Sequence, residues 1–228
     1  DKAANFYYHL TNVYKGGAFI MKFRAFLIAL ALIVGIAGTS SAAISEHRES
    51  TQNLSLAYPV VTLDDSAVAD RINTDIQAFA ANFRTQYQSG AFFRGELGYR
   101  VHLDDANFIS VTFTDLRYDL HANQPVRHDY GFVYYKKTGQ RLPLAFFVHL
   151  TPSDLDGEAV NGHLYNEYGR NTPIQPEKSV RQIPTNYFLG GRGFVCPIFQ
   201  PGELTASTGP TYVLLDAGIV EYFNRKNK

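Results

Sequence analysis

Residues 66–88 carry the strongest periodicity in the chain. Val68, Ile72, Ile76, Phe79, Phe83 and Tyr87 recur at spacings of three and four, the single apolar stripe of an amphipathic helix about five turns long. Asp64, Asp65 and Ser66 precede the stripe as N-cap candidates, with charge suited to a helix start. Ser89-Gly90 follows it, with glycine in the usual terminating position.

Most of the remaining pattern has a period of two. Residues 54–61 (LSLAYPVV) read as a strand, with Pro59 marking an edge position or the strand end. Leu97, Tyr99, Val101 and Leu103 alternate with Gly98, Arg100 and His102, and Ile109, Val111 and Phe113 alternate with Ser110, Thr112 and Thr114. Residues 104–107 form the turn between them, so the two runs predict a hairpin. Residues 121–127 (HANQPVR) read as a polar connection, and 130–135 (YGFVYY) as a further strand closed by Lys137-Thr138-Gly139.

A second helix opens at Thr151-Pro152-Ser153-Asp154. Thr151 is the cap, Pro152 suits the first helical position, and Asp154 completes a capping box. Its stripe of Leu155, Val160 and Leu164 is thin and interrupted by Gly157 and Gly162. Residues 187–189 and 194–196 flank Gly190-Gly191-Arg192-Gly193, a hairpin turn signal, and 211–215 (TYVLL) form the last strand. The pattern predicts an α+β domain: an antiparallel sheet of about seven strands with one long and one shorter helix packed on one face.

The N-terminal pattern is of another kind. Met21-Lys22-Phe23-Arg24 places two positive charges before residues 25–37 (AFLIALALIVGIA), and small residues occupy 38–43. These are the three regions of a secretory signal peptide. The apolar run falls short of the roughly 20 residues that span a bilayer, so cleavage after Ala42 or Ala43 is expected, with no membrane attachment afterwards. The expected compartment is periplasmic or extracellular. Residues 1–20 precede the only methionine, and Lys15-Gly16-Gly17 can be encoded by a purine-rich tract resembling a ribosome-binding site. They are expected to be upstream leader or a misplaced start. The expected organisation is therefore leader 1–20, signal 21–42 and a single domain 43–228.

Charge and cysteine content narrow the partners. The chain has 21 basic and 21 acidic residues; removing Lys2, Lys15, Lys22, Arg24 and Asp1 with the leader leaves the domain mildly acidic. With no basic run, nucleic acid and anionic membrane surfaces are poor partners. Cys196 is the only cysteine, so the domain has no internal disulfide. It lies in the apolar run 194–199 and reads as a small buried hydrophobe.

Candidate chemistry is sparse. His121, His128 and Asp129 lie near one connection, with Asp115 and Asp119 upstream, but the spacing matches no metal motif. Asp154, Asp156 and Glu158 fall in the first turns of a predicted helix, where carboxylates are structural. The glycines at 190–193 lack the Gly-Lys-Ser/Thr ending of a phosphate loop, and no nucleophile elbow occurs. No nucleophile is assembled with a base, and no cofactor is expected.

The order of several short motifs carries more information. Tyr58-Pro59 precedes a helix with Ile72-Asn73 and Ile76, and a strand pair ends near residues 113–118. Lys137-Thr138-Gly139-Gln140-Arg141-Leu142-Pro143-Leu144, Phe199-Gln200-Pro201-Gly202-Glu203-Leu204 and Thr208-Gly209 follow. Over residues 50–216 this order resembles the RsiV-like domain family. That domain forms the extracellular part of the RsiV anti-sigma factor and accompanies the catalytic domain of PdaC-type peptidoglycan deacetylases. The resemblance implies a non-catalytic recognition domain at the bacterial cell envelope, with a lysozyme-like protein or a cell-wall glycan as partner. A peptidoglycan-modifying enzyme is the alternative. The segment from Tyr118 to Asn123 keeps a histidine but lacks the family's glycine, and Pro201-Gly202-Glu203 lacks its tyrosine. The polar positions where the pattern clusters, His121, Asn123, Arg127, His128, Gln200 and Glu203, are the expected ligand-binding residues.

Overall fold

The computed structural model describes residues 42–120, 124–167, 169 and 172–228. The expected leader, the signal segment up to residue 41, and the expected site residues His121 and Asn123 lie outside the described residues.

The long stripe forms helix α1, Ser66–Gln88, whose start is capped by the Asp65 side chain accepting from the Ala67 and Val68 amides. Gly90, at φ 79°, takes the left-handed conformation just beyond its end. The stripe lies on one face of a six-stranded sheet. Its strands are β1 (Ala43–Ser50), β2 (Leu54–Thr62), β3 (Arg94–Asp104), β4 (Phe108–Tyr118), β5 (Val126–Tyr135) and β6 (Gln140–Arg141), adjacent in sequence order. Ile72, Ile76 and Phe83 are buried with Leu56, Leu97, Val111, Phe113 and Phe132 in a common core.

The β2–β3 pair is parallel, with α1 as its crossover, and it pairs only Leu54–Leu56 with Gly95–Leu97. Pro59 lies beyond that stretch, where one side of β2 is in effect an edge, the setting a strand proline tolerates. There the Asn73 side chain takes the place of a neighbouring strand. It accepts from the Val61 amide and donates to the Val61 carbonyl, both at 2.8 Å, and so ties α1 to β2.

The rest of the chain builds a second, four-stranded antiparallel sheet in the order β7 (Leu164–Tyr165), β10 (Thr211–Val213), β9 (Val195–Phe199) and β8 (Tyr187–Leu189). Helix α2 (Pro152–Glu158) has the expected capping box between Thr151 and Asp154, and continues as one wide π turn to His163. Helix α3 (Ala217–Lys226) starts at Asp216, whose side chain accepts from the Ile219 amide. Leu155 and Phe223 from these helices share a core with Leu164, Leu189 and Val213 of the small sheet.

The two sheets stack through β8, which crosses β5, β4 and β3 on the face opposite α1. Gly131 of β5 is required there: a β-carbon would stand 1.7 Å from the Tyr187 carbonyl oxygen. Beside it the Ser110 hydroxyl accepts from the Leu189 amide at 2.8 Å, inside the layer.

The fold is therefore mixed α+β, as the pattern predicts, but it differs from the expectation in three ways. The single sheet of about seven strands is two sheets, of six and four strands, one pair being parallel. The helices are not on one common face: α1 covers the large sheet, while α2 and α3 pack with the small one. β1 and α3 arise from segments with no expected element. None of the described helices is long and apolar enough to cross a membrane. Cys196 is fully buried in β9, and burial pushes its thiol well above the usual range.

Candidate functional site: an inter-sheet cleft

Strand alternation decides which residues meet. On β4 and β5 the register pairs Val111 with Phe132 and Phe113 with Tyr130, and all four belong to the core under α1. Their neighbours Thr112, Thr114, Arg127 and Asp129 consequently face the other way, toward the small sheet. The same alternation turns Arg100 and His102 of β3 to that side. Together with Phe188 and Tyr212 from the small sheet, these residues line a polar cleft of about 230 Å³.

Asp129, only 2% exposed, is the centre of the cleft's inner wall. Arg127 grips it with two bonds, Nε to Oδ1 at 2.9 Å and Nη2 to Oδ2 at 2.7 Å. Tyr212 donates its hydroxyl to Oδ2 at 2.6 Å and accepts from Arg127 Nη2 at 3.2 Å. A buried carboxylate is tolerated when its lone pairs are filled in this way. The bond to Asp129 raises the Arg127 pKa against the opposing effect of burial. Burial, reinforced by the charge of Asp129, raises the Tyr212 hydroxyl well above the ordinary phenol range.

Gln200 holds the backbone of Asp129. Its Nε2 donates to the Asp129 carbonyl at 2.6 Å and its Oε1 accepts from the Asp129 amide at 3.3 Å, repeating the amide-to-strand pairing that Asn73 makes with Val61. Glu203 in turn accepts from the Gln200 amide at 2.6 Å, across a turn in which Gly202 has φ 78°. The Arg127 amide donates to the Thr208 carbonyl at 3.3 Å.

On the opposite wall the His102 ring stacks on Phe188 with centroids 4.0 Å apart and hydrogen-bonds the Thr112 hydroxyl at 2.8 Å. Burial, aided by the positive charge of Arg100, lowers its pKa to about 4, so at neutral pH the ring is uncharged. Arg100 itself is exposed at the cleft and makes no hydrogen bond among the described residues.

Two other hollows are less suited to specific recognition. One of about 480 Å³ lies between the segment Lys178 to Pro184 and the turn Phe199 to Leu204, and there Lys178 is already bonded to the Gly202 carbonyl. The other, of about 400 Å³, is mainly apolar and runs from Leu144 to Asn227. Neither brings several charged side chains into one network as the cleft does.

The expected site residues separate on this geometry. Arg127 and Gln200 both bond to Asp129, a residue outside the expected set. Glu203 braces Gln200 but lines the larger hollow. His128 pairs with Asp115 in the register and points to the α1 side, where it lies near Tyr130 and its Nδ1 is buried without a hydrogen-bond partner among the described residues. The expected connection at 121–127 ends early because β5 begins at Val126, which makes Arg127 and His128 strand residues on opposite faces.

The acidic residues weighed as metal ligands separate in the same way. Asp115 is bound by Arg117 on the α1 face and Asp129 by Arg127 on the other. Among the described residues no group of three or more His, Cys, Asp or Glu is arranged to hold a metal. His102 and Arg100 were legible only in part, since the polar positions of a predicted hairpin mark a face without saying what covers it, and Tyr212 read only as one residue of the last strand.

No protein-family model matches the chain, and no curated protein matches it. Similarity appears at the level of solved structures. A member of the DUF3298 family from Bacteroides fragilis superposes with a TM-score of 0.55 at 10% identity, covering 81% of this chain and 94% of that one. A DUF3298 family protein from Pseudomonas aeruginosa superposes with a TM-score of 0.50 at 9% identity, covering 80% and 92%. At such identities the likeness is one of fold, and it does not extend to the RsiV-like and PdaC-associated resemblance carried by the sequence motifs.

Proposed function

We propose that the domain is an exported, non-catalytic recognition module of the bacterial cell envelope, whose ligand is a cell-wall glycan or a lysozyme-like wall-active protein. The observation that carries this reading is the construction of the cleft. Arg127 and Asp129 on β5, Tyr212 on β10 and Gln200 just beyond the end of β9 are bonded to one another, a fixed array of donors and acceptors that loses little conformational entropy on binding. The same array is poorly suited to proton transfer at neutral pH. His102, with its pKa lowered to about 4, is a weak base, and general base catalysis favours a pKa near the working pH. The Tyr212 hydroxyl and the Cys196 thiol are both shifted upward by burial, away from nucleophilic forms. Export is supported by the charged, apolar and small-residue succession from Met21 to Ala43.

Co-sedimentation with purified peptidoglycan sacculi and capture on immobilised lysozyme test the reading. The protein is expected to be retained by at least one of them and to leave muropeptides chemically unchanged. Retention by neither, or muropeptide turnover that disappears in His102→Gln, refutes it.

A further inference from the structure

We propose that the inter-sheet cleft is a carboxylate site, in which the Arg100 guanidinium anchors one acidic sugar residue. This inference rests on the recognition reading and names the ligand class of the same cleft.

The cleft has two guanidinium groups in different situations. That of Arg127 is occupied by Asp129 and Tyr212, and the field of Glu167 acts on it as well. Arg100 lines the same cleft, is exposed, and makes no hydrogen bond among the described residues. The Arg100 end is thus the positive end. Its charge is felt within the cleft, since it is one of the causes holding the His102 ring neutral. A planar guanidinium with open donors matches a carboxylate in two-pronged geometry, and Asp129, already neutralised by Arg127, does not repel such a ligand.

The remaining lining suits a ring bearing hydroxyls. Thr114 presents a hydroxyl and His102 an uncharged imidazole, neutral partners that act as donor or acceptor. Gly98, opposite Thr114 in the register, leaves the floor open: a β-carbon there would meet nothing within 4 Å. The volume of about 230 Å³ is below the ~300–1,000 Å³ that hold drug-sized ligands, a size matched to about one sugar ring with its acid group.

The test is an amide and Arg-Nε NMR titration of the full chain with N-acetylmuramic acid, D-glucuronic acid and the neutral N-acetylglucosamine. The two acids are expected to shift Gly98, Arg100 and Thr112, while the neutral sugar leaves them in place. Arg100→Ala should weaken acid binding about 10- to 100-fold, as loss of a charge-assisted pair does, and Arg100→Lys should recover part of it. Arg100 is exposed, so an unchanged melting temperature verifies the fold of both variants. Equal shifts from acidic and neutral sugars, or acid binding indifferent to Arg100→Ala, overturn the inference. Sacculus capture without any response to the acids overturns it while leaving the recognition reading intact. Response to the acids without sacculus or lysozyme capture supports the carboxylate site and refutes that reading.

Discussion

Replacing Gly131 by alanine tests the stacking of the two sheets more directly than any other single change. The added β-carbon would lie 1.7 Å from the Tyr187 carbonyl oxygen, 2.4 Å from its carbon and 3.1 Å from its nitrogen. All three are backbone atoms of β8, so no side-chain rotation relieves the clash and the sheets must part by more than an ångström. Overpacking of this kind costs about 1–3 kcal/mol. Parting the layer also strains the bond from the Leu189 amide to Ser110, and a buried donor left without its partner costs about 1–3 kcal/mol more. The expected loss is therefore about 2–6 kcal/mol, which for a domain of this size lowers the melting temperature by roughly 4–24 °C. Gly98→Ala is the control, because its β-carbon enters open space on the same sheet face; it should leave stability within about 0.5 kcal/mol of the parent. Thermal unfolding followed by circular dichroism reads both. A Gly131→Ala protein melting within about 3 °C of the parent would mean the sheets do not approach as described.

Other perturbations address the site and its supports. Arg127→Ala leaves the buried Asp129 carboxylate without its main partner and should cost about 2–3 kcal/mol in chemical denaturation, whereas a change below about 0.5 kcal/mol would show the pair to be dispensable. His102 is held neutral, its pKa lying below that of the unfolded chain, so the unfolded state binds the extra proton between about pH 6.5 and 4. Stability from this residue is therefore complete above about pH 6.5 and falls as pH drops toward 4, by about 1–2 kcal/mol after allowance for partial solvent access. His102→Gln should flatten the melting temperature over that window, and an unchanged slope would contradict the assignment. At Asp154 burial opposes ionisation, but hydrogen bonds from Lys226, Thr151 and Asn227 outweigh it and hold the carboxyl well below its usual range. Because these bonds join α2 to the end of α3, Asp154→Asn should raise hydrogen-exchange rates in residues 217–226 before other helices respond; uniform exchange would argue against that link. Mass spectrometry of the exported protein should find an N-terminus at Ala43 or Ile44, and an intact Met21 start would remove the export reading.

The expectations that succeeded have local causes. α1 was legible because six apolar residues at helical spacing and an Asp65 cap act within one segment. The capping box at Thr151, the β3–β4 hairpin and the turn at 190–193 likewise need no distant partner. α3 carried a readable signal in Ile219, Val220 and Phe223 behind Asp216, yet with only 10 residues it depends on packing against the second core. β1 shows no apolar alternation, being a largely exposed edge strand held by pairing with β2, so its sequence offered nothing periodic to read. The site was the least legible part. Gln200 stands out in a short sequence motif and Arg127 in a polar connection, but their common partner, Asp129, reads as one more acidic residue beside a histidine.

By itself the amino-acid order determined the secondary structure of the strongly patterned segments, the α+β class and the fate of the lone cysteine, because each depends on residues a few positions apart. Tertiary structure alone decided that the strands divide into two sheets, that the helices serve different cores, and that Arg100, Asp129 and Tyr212 share one cleft. Those outcomes join positions up to 112 residues apart in sequence, through pairing registers and layer contacts that leave no trace in local periodicity. A strand's alternation gives two faces, and only the folded chain shows that one meets a helix and the other a second sheet.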